Sequence, residues 1–134
     1  MVLVDTNVLL DLATNDPIWA DWSLGQLEAA SLAGPLLIND IIYAELAVRY
    51  DRIEDLDAFI DLAELTRAPI PRAALFLAGK AFTRYRHAGG SRTGVLPDFI
   101  IGAQAAVQNL PILTRDIGRY QTYFPTVELI SPGR

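Results

Sequence analysis

The chain has 134 residues, of which 51% are hydrophobic, and its formal net charge is −5; this length fits a single domain, residues 1–134, with a substantial core. The absence of cysteine excludes thiol catalysis, disulfides and cysteine-zinc sites, and a single histidine excludes a site built from several histidines. The N-terminus lacks the basic region of a signal peptide and no apolar run approaches the ~20 residues of a membrane span, so we expect a cytoplasmic protein with no membrane association.

Short apolar runs alternate with helical patterns along the chain. The predicted strands are 2–4, 36–38, 65–68, 111–114 and 127–130. The predicted helices are 6–12, 18–33, 40–50 (capped by Asn39 or Asp40), 51–63, 71–87, 97–108 and a short one after Asp116. Short apolar strands separated by helices predict an α/β fold, a single α/β/α sandwich around a parallel sheet of about four or five strands.

Charge is distributed unevenly along the chain. Residues 1–70 hold thirteen of the sixteen acidic residues and sum to −10, whereas residues 71–134 sum to +5. Two of the three acids in the basic half are Asp98 and Asp116. This asymmetry hints at a local anionic partner, although on charge alone the plain solvation of two faces is the better explanation.

Two aspartates follow predicted strands. Asp5 comes directly after the first strand, and Asp116 comes one residue after the run Ile112-Leu113-Thr114. If both strands are parallel, both carboxylates project from the carboxyl edge of the sheet, where ligand sites form. The alternative is that each aspartate only caps a helix.

Glu45 is expected on the apolar face of its helix. At the spacing of a helix it shares a face with Ile41, Ala44 and Val48. Burying a carboxylate there requires a metal ion or a basic partner, because an uncompensated buried charge costs several kcal/mol. The alternatives are an ion pair with Arg49 or a position at the edge of the face that reaches water.

Asp98 occupies the first turn of a very apolar helix, directly after Pro97. The helix dipole alone favours a carboxylate at this position. The functional interpretation is that Pro97 and the preceding loop direct Asp98 towards the same site as the other acids.

Four converging carboxylates would repel one another unless cations were bound. Oxygen ligands without histidine favour Mg²⁺ or Mn²⁺ over zinc, and such sites cleave phosphodiesters. The basic residues near these acids in sequence are Arg84, Arg86, Arg92, Arg115 and Arg119. Arg92, Arg115 and Arg119 are the main candidates for phosphate contacts, although for any one arginine plain surface exposure is the better explanation.

Four segments containing these acids occur in a recognisable order. They are Val4–Asp11, Ile42–Leu46, Leu96–Ala103 and Leu113–Asp116, followed by Arg119-Tyr120 and Tyr123-Phe124-Pro125. Together they resemble the PIN-domain nucleases, and specifically the VapC toxins of bacterial and archaeal toxin–antitoxin pairs. No single segment is specific, but the order of all four extends the resemblance over nearly the whole chain.

The resemblance implies an α/β/α fold and an RNA-cleaving site that uses Mg²⁺ or Mn²⁺. The implied metal-binding and catalytic residues are Asp5, Glu45, Asp98 and Asp116, with support from Thr114 and, more weakly, from Thr6 and Asn7. The resemblance also implies a homodimer and a cognate VapB-type antitoxin that blocks the site. Gln104 stands where many relatives carry histidine, a difference that would bear on substrate or antitoxin contacts.

Two other functions compete with this one. A Mg²⁺-dependent phosphatase or phosphotransferase with Asp5 as nucleophile usually needs a second aspartate two residues later, where this chain has Asn7. It also needs a well-placed lysine, and Lys80 is the only lysine. A non-catalytic PIN-like interaction module would have lost one or more of the four acids, all of which are present.

Overall fold

The computed structural model describes residues 1–92 and 94–133. The strands are β1 Val2–Val4, β2 Leu36–Ile38, β3 Leu65–Arg67, β4 Ile112–Leu113 and β5 Leu129–Ile130. The helices are α1 Thr6–Ala13, α2 Ala20–Ala33, α3 Asp40–Ala47, α4 Ile53–Leu62, α5 Arg72–His87, α6 Leu96–Gln108 and α7 Gly118–Tyr123. In these two ranges no helix is long and apolar enough to cross a membrane.

The five strands form one parallel sheet in the order β3-β2-β1-β4-β5. β1 lies at the centre, where Leu3 pairs with Leu37 of β2 and Val4 pairs with Leu113 of β4. The chain adds β2 and β3 on one side of β1, then β4 and β5 on the other, so the strand order reverses beside β1. Ligands bind in α/β sheets at such a switch point, outside the carboxyl ends of the strands. The predicted α/β/α fold with a parallel sheet of four or five strands is confirmed.

Burial explains why the central strands are short, unbroken apolar runs. All three residues of β1 and all three of β2 are buried, as expected for strands covered on both faces. The edge strand β3 is more polar, and its Thr66 and Arg67 are exposed. The sequence pattern therefore marks the centre of the sheet more strongly than its edges.

Helix α6 is held in place mainly by α5 and by aromatic side chains. The buried residues of α5 are the small Ala74, Ala78 and Ala81, and α5 packs closely against α6. The ring of Phe99 on α6 lies 5.9 Å from that of Phe82 and 5.6 Å from that of Tyr85, centroid to centroid. This packing fixes the first turn of α6, which carries Asp98.

The start of α2 follows a side-chain-stabilised turn, and the start of α3 is set by a side-chain cap. α2 begins at Ala20 instead of residue 18, because the Asp16 carboxylate accepts hydrogen bonds from the amides of Ile18 and Trp19 (2.8 and 2.9 Å) and holds them in a turn. Asn39 caps α3, since its Oδ1 accepts the amide of Ile42 at 2.9 Å. The sequence did not decide between Asn39 and Asp40 as the cap of α3. The cap is Asn39, and Asp40 is the first residue of the helix.

Candidate active site

A pocket of about 290 Å³ opens at the carboxyl edge of the sheet, beside β1. Its walls are formed by Asp5, Thr6, Asn7, Leu10, Glu45, Asp98, Asp116, Arg119 and Tyr120. The four acids come from four separate places: the end of β1, α3, the start of α6 and the loop after β4. The structure thus brings all four carboxylates singled out in the sequence to one pocket.

Asp5 is the most buried and most constrained of these acids. Its side chain caps α1 through Oδ1, which accepts the Thr6 amide at 2.8 Å. Its Oδ2 accepts hydrogen bonds from the hydroxyls of Thr114 (2.8 Å) and Tyr120 (2.9 Å). Burial raises the pKa of Asp5 despite these three bonds, and the charge of Asp116 raises it further.

Thr114 does not line the pocket, and it supports the site from the protein interior. Its hydroxyl is fully buried, donates to Asp5, and accepts from the Asn7 side-chain amide (3.2 Å) and the Asp116 backbone amide (3.0 Å). Asn7 in turn accepts the backbone amide of Arg115 through Oδ1 at 3.1 Å. These bonds tie the loop carrying Asp116 to the start of α1, and so set the position of Asp116 relative to Asp5.

Glu45 reaches the pocket from the edge of the buried face of α3. The buried residues of that helix are Ile42 and Leu46, whereas Val48 is 85% exposed. The predicted stripe through Ala44 and Val48 is therefore wrong by about one residue, because the face that packs on the core is the one through positions 42 and 46. Glu45 Oε1 accepts the Thr6 hydroxyl at 2.6 Å, and burial, with a smaller effect from Asp5, raises its pKa.

Asp98 shows the mutual repulsion of the cluster most clearly. Burial, followed by the charge of Asp5, raises the pKa of Asp98 to about 6, and Glu45 and Asp116 add to the shift. Arg119 opposes it, with its Nε 3.4 Å from Asp98 Oδ2. One guanidinium therefore faces four acids and leaves them incompletely neutralised.

The donor set fits a hard divalent cation. All four acidic side chains offer oxygen, which suits Mg²⁺ or Mn²⁺, and burial together with the neighbouring acids disfavours the charged form of Asp98, which a bound cation would stabilise. Within residues 1–92 and 94–133, however, no three acidic or histidine side chains are placed to hold one ion together. The oxygen-rich chemistry of the pocket fits such an ion, although the four carboxylates are not arranged as a closed ligand set.

Only one of the three arginines proposed for phosphate contacts lies in the pocket wall, and it is Arg119. Arg115 instead binds Asp11 through two hydrogen bonds of 2.7 and 2.8 Å, and its guanidinium lies 4.9 Å from the ring centre of Trp19. Arg92 is exposed, and the structure does not place it among the residues lining the pocket. Of the three candidates, Arg119 thus lies in the pocket wall, Arg115 is already paired with Asp11, and Arg92 is not among the lining residues.

Sequence reasoning missed Tyr120 and Asp11. Tyr120 is 3% exposed and bonds Asp5, and burial followed by the charge of Asp5 raises its pKa well above the usual range. Asp11 is 2% exposed and accepts hydrogen bonds from Arg115 and from the Ser23 hydroxyl (2.6 Å). An ionisable residue among the leucines of α1 was the available signal for Asp11. Nothing local in the sequence distinguishes Tyr120.

Gln104 has a structural role inside the protein, and its effect on substrate or antitoxin contacts stays a prediction. It is fully buried. Its Oε1 accepts from Asn39 at 2.9 Å, and its Nε2 donates to the Pro69 carbonyl at 3.1 Å. Because Asn39 caps α3, Gln104 links α6 to the start of the helix that carries Glu45.

Asp98→Asn should stabilise the metal-free protein at pH 7. Above its pKa of about 6 the buried Asp98 is ionised and destabilises the fold. As the pH falls through about 6 towards the unfolded value near 3.8, the folded state takes up the proton first and the destabilisation is relieved. The side chain is 34% exposed, so solvent screening limits the effect to about 1 kcal/mol, or about 3 °C in Tm.

Thermal unfolding of both proteins in EDTA between pH 7.5 and 4.5 measures this effect. The advantage of the asparagine variant should shrink as the pH falls. Two curves that stay parallel over that range would contradict the prediction.

Comparison with known proteins agrees with this fold and site. The PIN domain family model matches residues 2–125. VapBC2 from Rickettsia felis, solved bound to a DNA fragment from its promoter, matches with a TM-score of 0.76 and 20% identity over 99% of this chain and 100% of that chain. VapBC-1 from nontypeable Haemophilus influenzae matches with a TM-score of 0.71 and 19% identity over 98% of each chain.

A toxin–antitoxin complex from Klebsiella pneumoniae is a third such structure, with a TM-score of 0.63 and 23% identity over 95% of each chain. Comparison with curated protein sequences gives no match. At these identities the solved structures establish a shared fold. The family model spans most of the chain, from β1 past the last acid of the pocket, and the chain therefore belongs to the PIN-domain family.

Proposed function

We propose that this PIN domain is a metal-dependent endoribonuclease whose site consists of Asp5, Glu45, Asp98 and Asp116. The observation that carries the proposal is the convergence of these four carboxylates on one pocket at the switch point of the sheet. PIN domains are generally nucleases, so family membership and the chemistry of the pocket support the same reaction. The four acids would hold Mg²⁺ or Mn²⁺.

In such a site, several side chains of this protein would have separate roles. A bound divalent ion would activate water and stabilise charge on the phosphodiester oxygens. Thr114 and Tyr120 orient Asp5 by donating to the same oxygen. Thr6 orients Glu45 through Oε1, and among the described residues the other oxygen of Glu45 accepts no hydrogen bond, which leaves it available to a ligand or a proton. Arg119 is the basic residue among those lining the pocket and would contact a phosphate there.

The phosphotransferase alternative is disfavoured by the surroundings of Asp5. Such enzymes usually place a second aspartate two residues later, and that position carries Asn7, whose side chain is bonded to the Thr114 hydroxyl and the Arg115 amide. The only lysine, Lys80, is exposed on α5 and does not line the pocket. Trapping of a phosphorylated Asp5 would revive this alternative.

We further propose that the protein acts in the cytoplasm as the toxin of a type II toxin–antitoxin pair. Its partners would be a VapB-type antitoxin and a second copy of this chain. Support comes from the similar solved structures, which are described as VapBC or toxin–antitoxin complexes and match this chain over nearly their full length. Co-purification with a small protein encoded next to it, and loss of RNA cleavage in that complex, would test the pairing.

Cleavage of total cellular RNA tests the nuclease activity. The purified chain is incubated with Mg²⁺, with Mn²⁺ or with EDTA, and a DNA of matched sequence reports the preference for RNA. Discrete cuts that need the metal and are absent in Asp98→Asn, purified identically, are expected. A denaturing gel checks for a co-purified inhibitor. A homogeneous single-chain preparation that leaves RNA intact with either metal would contradict the proposal.

A further inference from the structure

Arg119 is held in the acidic pocket by a loose contact. Its Nε is buried and, within the part of the chain that the structure describes, it has no hydrogen-bond partner. Its ion pair with Asp98 is a single contact of 3.4 Å between Nε and Oδ2. A buried guanidinium nitrogen without a hydrogen bond costs free energy unless nearby charge compensates it. The compensation here is the four-carboxylate cluster itself.

The Arg115–Asp11 ion pair of the same protein provides a comparison, because its two partners are hydrogen-bonded to each other. Arg115 makes two hydrogen bonds of 2.7 and 2.8 Å to both oxygens of a side chain that is 3% exposed. Arg119 makes one longer contact to a carboxylate that is 34% exposed and faces the pocket. The Arg115–Asp11 contact thus has the geometry of a stable bidentate ion pair. The Arg119–Asp98 contact has the geometry of a weaker pair in which another cation can replace the arginine.

We propose that Arg119 is the internal counter-ion of the metal-free pocket and competes with the divalent ion for Asp98. The inference rests on the proposed metal site and adds a residue that regulates its occupancy. Both cations neutralise the same carboxylates, so the binding of one must weaken the hold of the other. When Asp98 turns to the ion, the Arg119 side chain, which is 25% exposed, is released from it.

Metal affinity of the full chain, measured by calorimetry after removal of metal with EDTA, tests this role. Arg119→Gln should bind Mg²⁺ about tenfold more tightly than the parent, a change within the usual range of coupling between sites. Arg119→Met, which keeps the length and packing of the side chain, should do the same and repeats the test if glutamine impairs folding. A purely structural role for Arg119 predicts weaker binding, because α7 would loosen.

Arg67→Gln is the matched control. It removes the same charge from an exposed ion pair with Asp40, outside the pocket. Its Mg²⁺ affinity should equal that of the parent, which separates the local effect from the change in net charge. Circular dichroism establishes that each variant is folded.

The unmodified protein offers a second readout. The ¹⁵N signal of the Arg119 Nε–H should shift with added Mg²⁺ and saturate together with the calorimetric binding curve. Unchanged or weaker Mg²⁺ affinity in the folded Arg119 variants would overturn the counter-ion role alone. A parent protein that binds neither Mg²⁺ nor Mn²⁺ would overturn the proposed metal site as well.

Discussion

Asp5→Asn should reduce RNA cleavage at least about a hundredfold and leave the protein folded, since the loss of about 3 kcal/mol of metal-dependent stabilisation corresponds to more than two orders of magnitude in rate. The fold should survive because asparagine keeps the size of the side chain and its Oδ1 can still accept the Thr6 amide. The hydroxyl of Tyr120 can rotate to accept from an amide where it donated to a carboxylate. Removing the charge also ends the cost of its burial, which raises the pKa of Asp5 in the parent.

Single-turnover cleavage of an RNA substrate at saturating Mg²⁺, with unfolding in EDTA as the stability check, measures both halves of this prediction. Asp40→Asn is the control, because it removes one charge from an exposed position outside the pocket. It should cleave at the parental rate. A folded Asp5→Asn variant that cuts RNA as fast as the parent would exclude Asp5 from the mechanism.

Arg115→Ala should destabilise the protein by about 3 kcal/mol, because breaking a buried pair leaves an uncompensated charge. The carboxylate left unpaired is that of Asp11, whose side chain is 3% exposed and would keep only its hydrogen bond from the Ser23 hydroxyl. The stacking of the guanidinium on Trp19 is lost as well. Urea unfolding at pH 7 in EDTA measures the change without any contribution from bound metal.

Two further variants distinguish this explanation from a general effect of removing arginine. Arg67→Ala breaks an exposed pair and should cost less than about 1 kcal/mol. Adding Asp11→Asn to Arg115→Ala removes the stranded charge and should recover at least half of the lost stability. If the double variant is as unstable as the sum of the two single ones, the buried charge is not the cause.

The secondary structure and the sheet could be predicted because their signals are local. Val2–Val4 and Leu36–Ile38 are apolar runs bounded by helical patterns, and such runs form buried parallel strands whatever lies elsewhere in the chain. The placement of Asp5 and Asp116 at one edge follows from the same reasoning, because parallel strands share their carboxyl ends. The four segments quoted for the PIN resemblance carried the family assignment, and the PIN family model confirms it.

The face of α3 could not be settled from its own residues. Two apolar stripes, one residue apart, run through Ile41–Val48, and only packing against the rest of the core selects Ile42 and Leu46. Glu45 therefore lies at the edge of the buried face, which is one of the alternatives that the sequence left open. Its position at the edge of the buried face allows the Thr6 hydroxyl to orient it.

The amino-acid sequence alone predicted the α/β architecture, because its apolar runs and helical patterns are local, and the order of the four PIN-like segments selected Asp5, Glu45, Asp98 and Asp116 as the candidate site. The tertiary structure decided which charges pair: Arg115 meets Asp11 across 104 positions and Tyr120 meets Asp5 across 115. Such pairs leave no local pattern, because a side chain's partner is set by how the helices pack around the sheet. The same packing places Arg119 beside the four acids of the pocket and pairs Arg115 with Asp11, which does not line it.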